Sequence, residues 1–278
     1  MSNLAIYKPK AKAAEYSEYA CNYYVGCTGK CTYCFLKKGI GAKVLGGNIP
    51  TLKKCFRDEN HALEVFRKEL DANLNELLKH GLFFSFTTDP MLPETSELTW
   101  RAIMDCNDLG VPVKILTKRA EWVEDYVHFI NHSNSENEDR EWRKLIAFGF
   151  TLTGHDELEP GASTNYERIA AMKLLHEAGF KTFASIEPII YFNSSFSMIA
   201  MTLDYCDLYK IGLLSGGKYD KNELQHFVNK LKCLPDNPKI YLKESIRKKL
   251  CYDPLAWGLG DNFVEADYNM FKKLSHDL

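Results

Sequence analysis

The densest chemistry in the sequence is a run of three cysteines, Cys27, Cys31 and Cys34, spaced C-x3-C-x2-C in a segment that also holds Gly26 and Gly29. Thiolates are soft ligands and suit an iron–sulfur cluster or zinc rather than magnesium or calcium. A short loop of this kind can wrap around a cubane cluster and bring three sulfurs to three irons. The glycines let the backbone approach closely and adopt positive φ where required. Two other readings stand beside this one. A structural zinc site needs four closed ligands, commonly two pairs; Cys21 is a candidate fourth, but no second C-x2-C and no nearby His pair occurs. A closed four-cysteine cluster would also need Cys21, which lies six residues before Cys27 at the end of an apolar run. The chain has nine cysteines, an odd number, and such crowding in a reducing compartment reads as metal ligation rather than a disulfide framework.

A second set of polar residues ends successive apolar runs: Thr87-Thr88-Asp89, Thr117-Lys118-Arg119, Thr151 and Thr153, Glu187, and Ser215. In a parallel α/β barrel the C-terminal strand ends and their loops build the site. Polar residues mark strand exits in general, so one such end means little. Five in register with a cysteine loop on the first strand predict a shared cavity.

The elements that must position these residues alternate. Strands are predicted at about 18–25, 82–86, 111–117, 145–153, 181–190 and 207–214. Helices are predicted from Asn60 to His80, from Ser96 to Leu109, through Trp122, Val127 and Ile130, from Thr164 to Gly179, and near 221–232. Thr164 with Glu167 reads as a capping box. An apolar run at Ile240–Leu242 and a helical tail follow, and polar residues 131–141 read as a surface insertion. Strand–helix alternation implies right-handed βαβ units and a parallel sheet, closed or partly closed as a barrel, with a doubly wound open sheet as the alternative. No linker divides the chain, so a single domain spanning 1–278 is expected, with a core at about 18–216 and an extension at about 217–278.

Composition excludes little. With 278 residues, 45% hydrophobic and 26% charged, the chain is an ordinary globular protein, and a net charge of −2 offers no global attraction for nucleic acid. Lys37, Lys38, Lys43, Lys53 and Lys54 form a local basic patch that could face a phosphate backbone, or simply be a solvated surface. The first residues lack an apolar core for a signal peptide, and no run of about eighteen apolar residues occurs. A cytoplasmic location and no membrane partner are therefore expected.

Cys27, Cys31 and Cys34 with Tyr33 before the third cysteine resemble the signature of the radical S-adenosylmethionine (SAM) superfamily. The segments NYYVGCTGKCTYCF at 22–35, SFTTDPMLPE at 85–94, ILTKRAE at 115–121, LEPGASTNYERIAAMKLLHEAGF at 158–180 and Glu187-Pro188-Ile189-Ile190 resemble its spore photoproduct lyase-like (DNA repair photolyase-like) branch. The resemblance implies an α/β fold, a partial (β/α)6 TIM-like barrel with parallel strands and a C-terminal helical extension. It implies a [4Fe–4S] cluster on the three cysteines with one open iron that SAM chelates. It also implies reductive cleavage of SAM to a 5′-deoxyadenosyl radical that abstracts hydrogen from a substrate, and an electron donor such as flavodoxin or ferredoxin. By the same resemblance Thr88 and Thr151 contact the methionyl or ribose part of SAM, Lys118 its carboxylate, Tyr33 its adenine, and Glu187 its ribose or amino groups.

The branch's repair chemistry uses a tyrosine just after the third cysteine and a cysteine at the end of the second strand. Here the matching positions are Phe35 and Phe86, which have neither O–H nor S–H to give. Cys55 and Cys106 are donor candidates elsewhere, with packing roles in the crossover and on a helix as the simpler reading. The substrate stays open, nucleic acid included. A cluster- and SAM-binding regulatory protein and a structural zinc protein are the alternatives from other classes.

Overall fold

The computed structural model describes residues 4–39, 41–133, 140–251 and 258–271. Its centre is an eight-stranded sheet. β1 (Ile6–Tyr7) runs antiparallel to β2 (Ala20–Cys21) at one edge. After β2 the chain leaves the sheet. A short antiparallel ribbon pairs β3 (Tyr24–Val25) with β4 (Thr51–Leu52), and the cysteine loop and the short helix α1 (Ala42–Leu45) lie between them. The predicted first strand at 18–25 is thus two short strands in two sheets. Asn22 explains the break: its side chain donates to Tyr7 Oη (2.6 Å) and accepts from Phe86 N (2.8 Å), so it serves loops instead of a ladder.

The βαβ alternation then proceeds as the patterning requires. The first crossover is α2 (Glu59–Ala72) followed by α3 (Leu74–His80), which leads to β5 (Leu82–Phe84). One continuous helix was expected here. Asn73 interrupts it, its side-chain amide donating to Glu69 O at 2.7 Å in competition with the helical ladder. Then come α4 (Ser96–Asp108), β6 (Val113–Thr117), α5 (Val123–Ser133), β7 (Ile146–Thr151), α6 (Asn165–Glu177) and β8 (Lys181–Ile189). The expected capping box at Thr164 and Glu167 is formed. Most of the predicted insertion, 134–139, lies outside the described residues.

After α7 (Phe192–Ala200) and β9 (Leu208–Leu213) the helix α8 (Lys221–Leu231) leads to β10 (Lys239–Leu242) and α9 (Glu244–Leu250). β2, β5, β6, β7, β8, β9 and β10 are parallel neighbours in that order. The extension therefore adds a seventh parallel strand where only helix and an unassigned apolar run were expected. The end of the predicted helical tail lies outside the described residues. The crossover helices bury apolar stripes on the outer face of the sheet, for example Leu98, Ala102, Ile103 and Cys106 of α4. Each fully buried Leu or Ile contributes about 1.5–3 kcal/mol.

The inner face is packed separately, by Ala20, Phe83, Ala147, Phe183, Leu208 and Tyr241 with Tyr16 and Met270. Among the described residues, strand pairing does not join β10 back to β1. Residues 12–16 cross this seam instead. The Glu15 carboxylate accepts from Tyr241 Oη (2.9 Å) and Glu244 N (2.7 Å), and Lys210 Nζ donates to Glu15 O at 2.6 Å. The N-terminal segment is thereby part of the barrel, although the expected core began at about residue 18.

Candidate active site

A cavity of about 520 Å³ opens at the C-terminal ends of the strands, a typical size for a ligand site. Its walls carry Cys27, Cys31 and Cys34, and also Thr88, Asp89, Thr117, Lys118, Arg119, Thr151, Glu187 and Ser215. The strand-end residues singled out by pattern do converge. Thr87 and Thr153 are turned to structural work: Thr87 Oγ1 donates to Tyr24 O, and Thr153 Oγ1 to Glu159.

The cysteine loop is gripped from two sides. Cys27 N donates to Gly47 O (3.0 Å), beside Gly26 at φ +88°. On the other flank Thr32 N donates to Leu158 O (3.0 Å) and Gly161 N to Gly29 O (3.1 Å). A Cβ on Gly161 would stand 2.6 Å from Thr28 O, so only glycine permits this approach. The block at 158–180 thus acts on the cysteine loop through its first four residues.

All three cysteines are free and partly buried. Burial raises the Cys27 thiol, reinforced by Asp89, and raises Cys31 despite the opposing charge of Lys118. Cys21 is fully buried in the core and is not a cavity wall, which removes it as a fourth ligand. Gly29 leaves room between two of the thiols, since a Cβ there would lie 3.3 Å from Cys27 Sγ and 3.8 Å from Cys31 Sγ.

Two features next to the cysteines fit a ligand with an anionic group and hydrogen-bonding oxygens. Thr88 Oγ1 is buried in the wall with no hydrogen-bond partner. Lys118 is 22% exposed, its main-chain N–H held by Asp89 Oδ2 (2.8 Å). Its ammonium is 3.7 Å from Glu159 Oε1 and 5.4 Å from the centroid of the Tyr33 ring. Asp89 also accepts from Thr117 Oγ1 (2.6 Å) and so fixes the end of β6. Tyr33 does line the cavity, but its hydroxyl is committed to Glu159.

Glu187 stands at the opposite pole, and its carboxylate is already engaged. Lys243 Nζ lies 2.5 Å from Glu187 Oε2, and Tyr16 Oη donates to the same oxygen at 2.9 Å while contacting Ser185 Oγ at 2.6 Å. Tyr16 and Lys243 were not singled out by the sequence, since nothing in local spacing ties residues 16, 187 and 243 together. Thr151 is a buried wall residue whose carbonyl accepts from Arg168 Nη1 (2.5 Å).

Phe86 points into the barrel and stacks on Phe83 with centroids 4.4 Å apart, while Phe35 is 63% exposed at the rim. Cys55 and Cys106 pack in the outer core and line no part of the cavity. The basic patch is dispersed: Lys53 is buried with its ammonium on Leu4 O (2.6 Å), Lys37 bonds Asn48, and Lys38 is at the cavity rim. No helix among the described residues is long and apolar enough to cross a membrane.

The partly open parallel barrel with a three-cysteine loop at its mouth has the fold of solved spore photoproduct lyases, which are radical SAM enzymes. A spore photoproduct lyase complexed with dinucleoside spore photoproduct superposes with a TM-score of 0.55 at 17% identity, covering 82% of this chain and 64% of that one. A cysteine-to-alanine mutant of spore photoproduct lyase gives 0.54 at 18%, covering 75% and 59%. An uncharacterized protein of Methanocaldococcus jannaschii is 26% identical over 189 residues, 63% of this chain and 61% of its own length. The chain thus spans under two thirds of each of these proteins. No protein-family profile matches it.

Proposed function

We propose that this chain is a radical SAM enzyme. In this reading Cys27, Cys31 and Cys34 hold a [4Fe–4S] cluster, and SAM occupies the adjoining cavity. When bound, the two cofactors supply reductive cleavage of the sulfonium to methionine and a hydrogen-abstracting 5′-deoxyadenosyl radical. The observation that carries the reading is the pairing of a three-thiol loop with a cavity wall that holds one ammonium in an ion pair without a hydrogen bond and one hydroxyl without a partner.

The chain's own residues have separable tasks. Lys118 binds the carboxylate of SAM by a charge-assisted hydrogen bond. Thr88 gains the partner its buried hydroxyl lacks, and Thr151 lines the path between the two poles. Glu187, engaged by Tyr16 and Lys243, presents a fixed charge to whatever lies beyond the cofactor. Phe83, Phe86 and Leu116 keep the interior apolar and exclude water. Phe35 and Phe86 carry no transferable hydrogen, which argues against spore photoproduct lyase chemistry and for a different hydrogen abstraction.

The substrate enters past the rim at Phe35 and Lys38. Between Glu18 and Asp58 the chain has no acidic residue, which favours an anionic partner there. Nucleic acid and an acidic electron donor of the flavodoxin or ferredoxin type both meet that description, in the cytoplasm where thiols stay reduced. Salt-dependent binding to duplex DNA tests the first of these.

The direct test is anaerobic reconstitution followed by dithionite and SAM. The expected result is about four irons per chain and formation of 5′-deoxyadenosine. Stoichiometric iron without cleavage would favour a binding protein, and zinc in place of iron would end both readings.

A further inference from the structure

The block at 158–180 contains two buried charged residues that the roles above leave unused, Glu159 and Arg168, 2% and 0% exposed. Their arrangement divides one carboxylate between two jobs. Glu159 Oε2 takes Arg168 Nη2 at 2.5 Å and Thr153 Oγ1 at 3.2 Å, on the side of the fold. Arg168 is itself fixed by Thr151 O (2.5 Å) and Thr164 O (3.3 Å), with Asp156 at 3.6 Å on its solvent side. Glu159 Oε1 lies behind the cavity wall, where it accepts the hydroxyl of the wall residue Tyr33 and has Nζ of the wall residue Lys118 at 3.7 Å.

That last distance is an ion pair without a hydrogen bond. The Lys118 ammonium has three donors, and none is spent within the described residues. Glu159 already has Arg168 as a counter-charge and the Tyr33 phenol as a donor on the near oxygen. Burial raises this carboxyl, but Lys118 and Arg168 outweigh that and hold it below the usual range, so it is ionised. Glu159 Oε1 has two acceptor positions; the Tyr33 hydroxyl takes one of them and offsets part of the charge that would otherwise draw the ammonium into hydrogen-bond contact.

We propose that Tyr33 and Glu159 act together as positioning residues for Lys118: the Tyr33 hydroxyl takes one acceptor position on Glu159 Oε1, the oxygen nearest Lys118, so the ammonium is held close and oriented but stays available to the carboxylate of SAM. The proposal rests on reading the cavity as the SAM site. It also gives Tyr33 a task other than contact with adenine. Because Tyr33 lies between Cys31 and Cys34, the same hydrogen bond ties the cysteine loop to the lysine that receives the cofactor.

The test is a double-mutant cycle on the reconstituted full chain, with SAM as the probe and dissociation constants from equilibrium dialysis. Tyr33→Phe keeps the ring and the Glu159–Arg168 pair but frees that acceptor position on Glu159 Oε1, onto which Lys118 retracts. It is expected to weaken SAM about tenfold, equivalent to about 1.4 kcal/mol, with thermal stability and iron content near wild type. In a Lys118→Met background the same substitution is expected to change affinity less than twofold. The SAM-induced change in the EPR spectrum of the reduced cluster gives a second readout. Tyr33→Phe should require about ten times more SAM to produce it.

A tenfold loss that persists in the Lys118→Met background would overturn the proposal, and would return Tyr33 to direct contact with the cofactor. Unchanged affinity of Tyr33→Phe alone would overturn it as well. Wild-type protein that carries the cluster but binds no SAM would instead overturn the reading of the cavity itself.

Discussion

At the cysteine pole of the cavity the polar side chains are organised by one buried carboxylate, Glu159, with cations on both of its sides. At the opposite pole the organisers are lysines inside the barrel, Lys114, Lys210 and Lys243, which seize carbonyls of the N-terminal segment at Tyr16, Glu15 and Lys12. The first arrangement leaves an ammonium and a hydroxyl unspent beside three thiols. The second spends nearly everything: Glu187, Tyr16, Ser185 and Lys243 satisfy one another. On the proposed function, the contrast separates a pole that receives a ligand from a pole that closes a seam. The cost of the second is visible in Lys114, which burial pushes down to about 8, and in Lys210, lowered further by burial and by its two lysine neighbours.

The largest effect expected at the receiving pole is loss of the cluster. Cys31→Ala should reduce iron after reconstitution to a small fraction of wild type and abolish SAM cleavage, while Cys21→Ala should leave both intact. Iron retained by the first and lost by the second would reverse the assignment of ligands. Next is Glu159→Ala, which strands the fully buried Arg168 and should cost about 3–5 kcal/mol in urea unfolding. A cost below about 1 kcal/mol would mean that the carboxylate does not organise this pole.

At the seam the sign depends on pH. The folded-state pKa of Lys114 lies below its unfolded value of about 10.4, so below pH 8 the native state must carry a charge that burial opposes. Stability is thus reduced at pH 7 and recovered as pH rises from 8 towards 10. Lys114→Met should therefore stabilise the protein at pH 7 by about 1–3 kcal/mol, with the gain vanishing near pH 10. Equal destabilisation at both values would show that the bond to Tyr16 O outweighs the burial of charge.

The smallest effect sharpens the comparison most. Thr88→Val removes a buried hydroxyl without a partner, so the ligand-free protein should be unchanged or more stable by up to about 1 kcal/mol. SAM binding should weaken about fivefold. Tyr16→Phe at the far pole should show the reverse, with about 1 kcal/mol lost from stability and SAM affinity unchanged. Both changes affecting SAM alike would dissolve the distinction between the poles.

The strands from 82 onward were legible because continuous apolar runs alternate with amphipathic helices, and parallel strands buried on both faces read that way. β10 was not assigned, since the three apolar residues Ile240–Leu242 carry no period. Residues 12–16 were invisible for a different reason. They form only the end of a short 3-10 turn (Ala11–Ala13) and the coil after it, and their value lies in Glu15 and Tyr16 meeting partners on strands far along the chain. The candidate site was legible where chemistry is local, in the cysteine spacing, and where strand ends share one register, as at Thr88, Lys118 and Thr151. Glu159 and Arg168 stood inside a quoted block without a role, because the Tyr33–Glu159 contact joins positions 126 residues apart.

The central claim is that three cysteines hold a cluster with one iron open to a cofactor in this cavity. EPR of the dithionite-reduced, reconstituted protein titrated with SAM tests it most directly. A spectrum that shifts in a saturable way on adding SAM, with the shift weakened in Lys118→Met, is the predicted result. A reduced cluster whose spectrum ignores SAM at every concentration would contradict the claim.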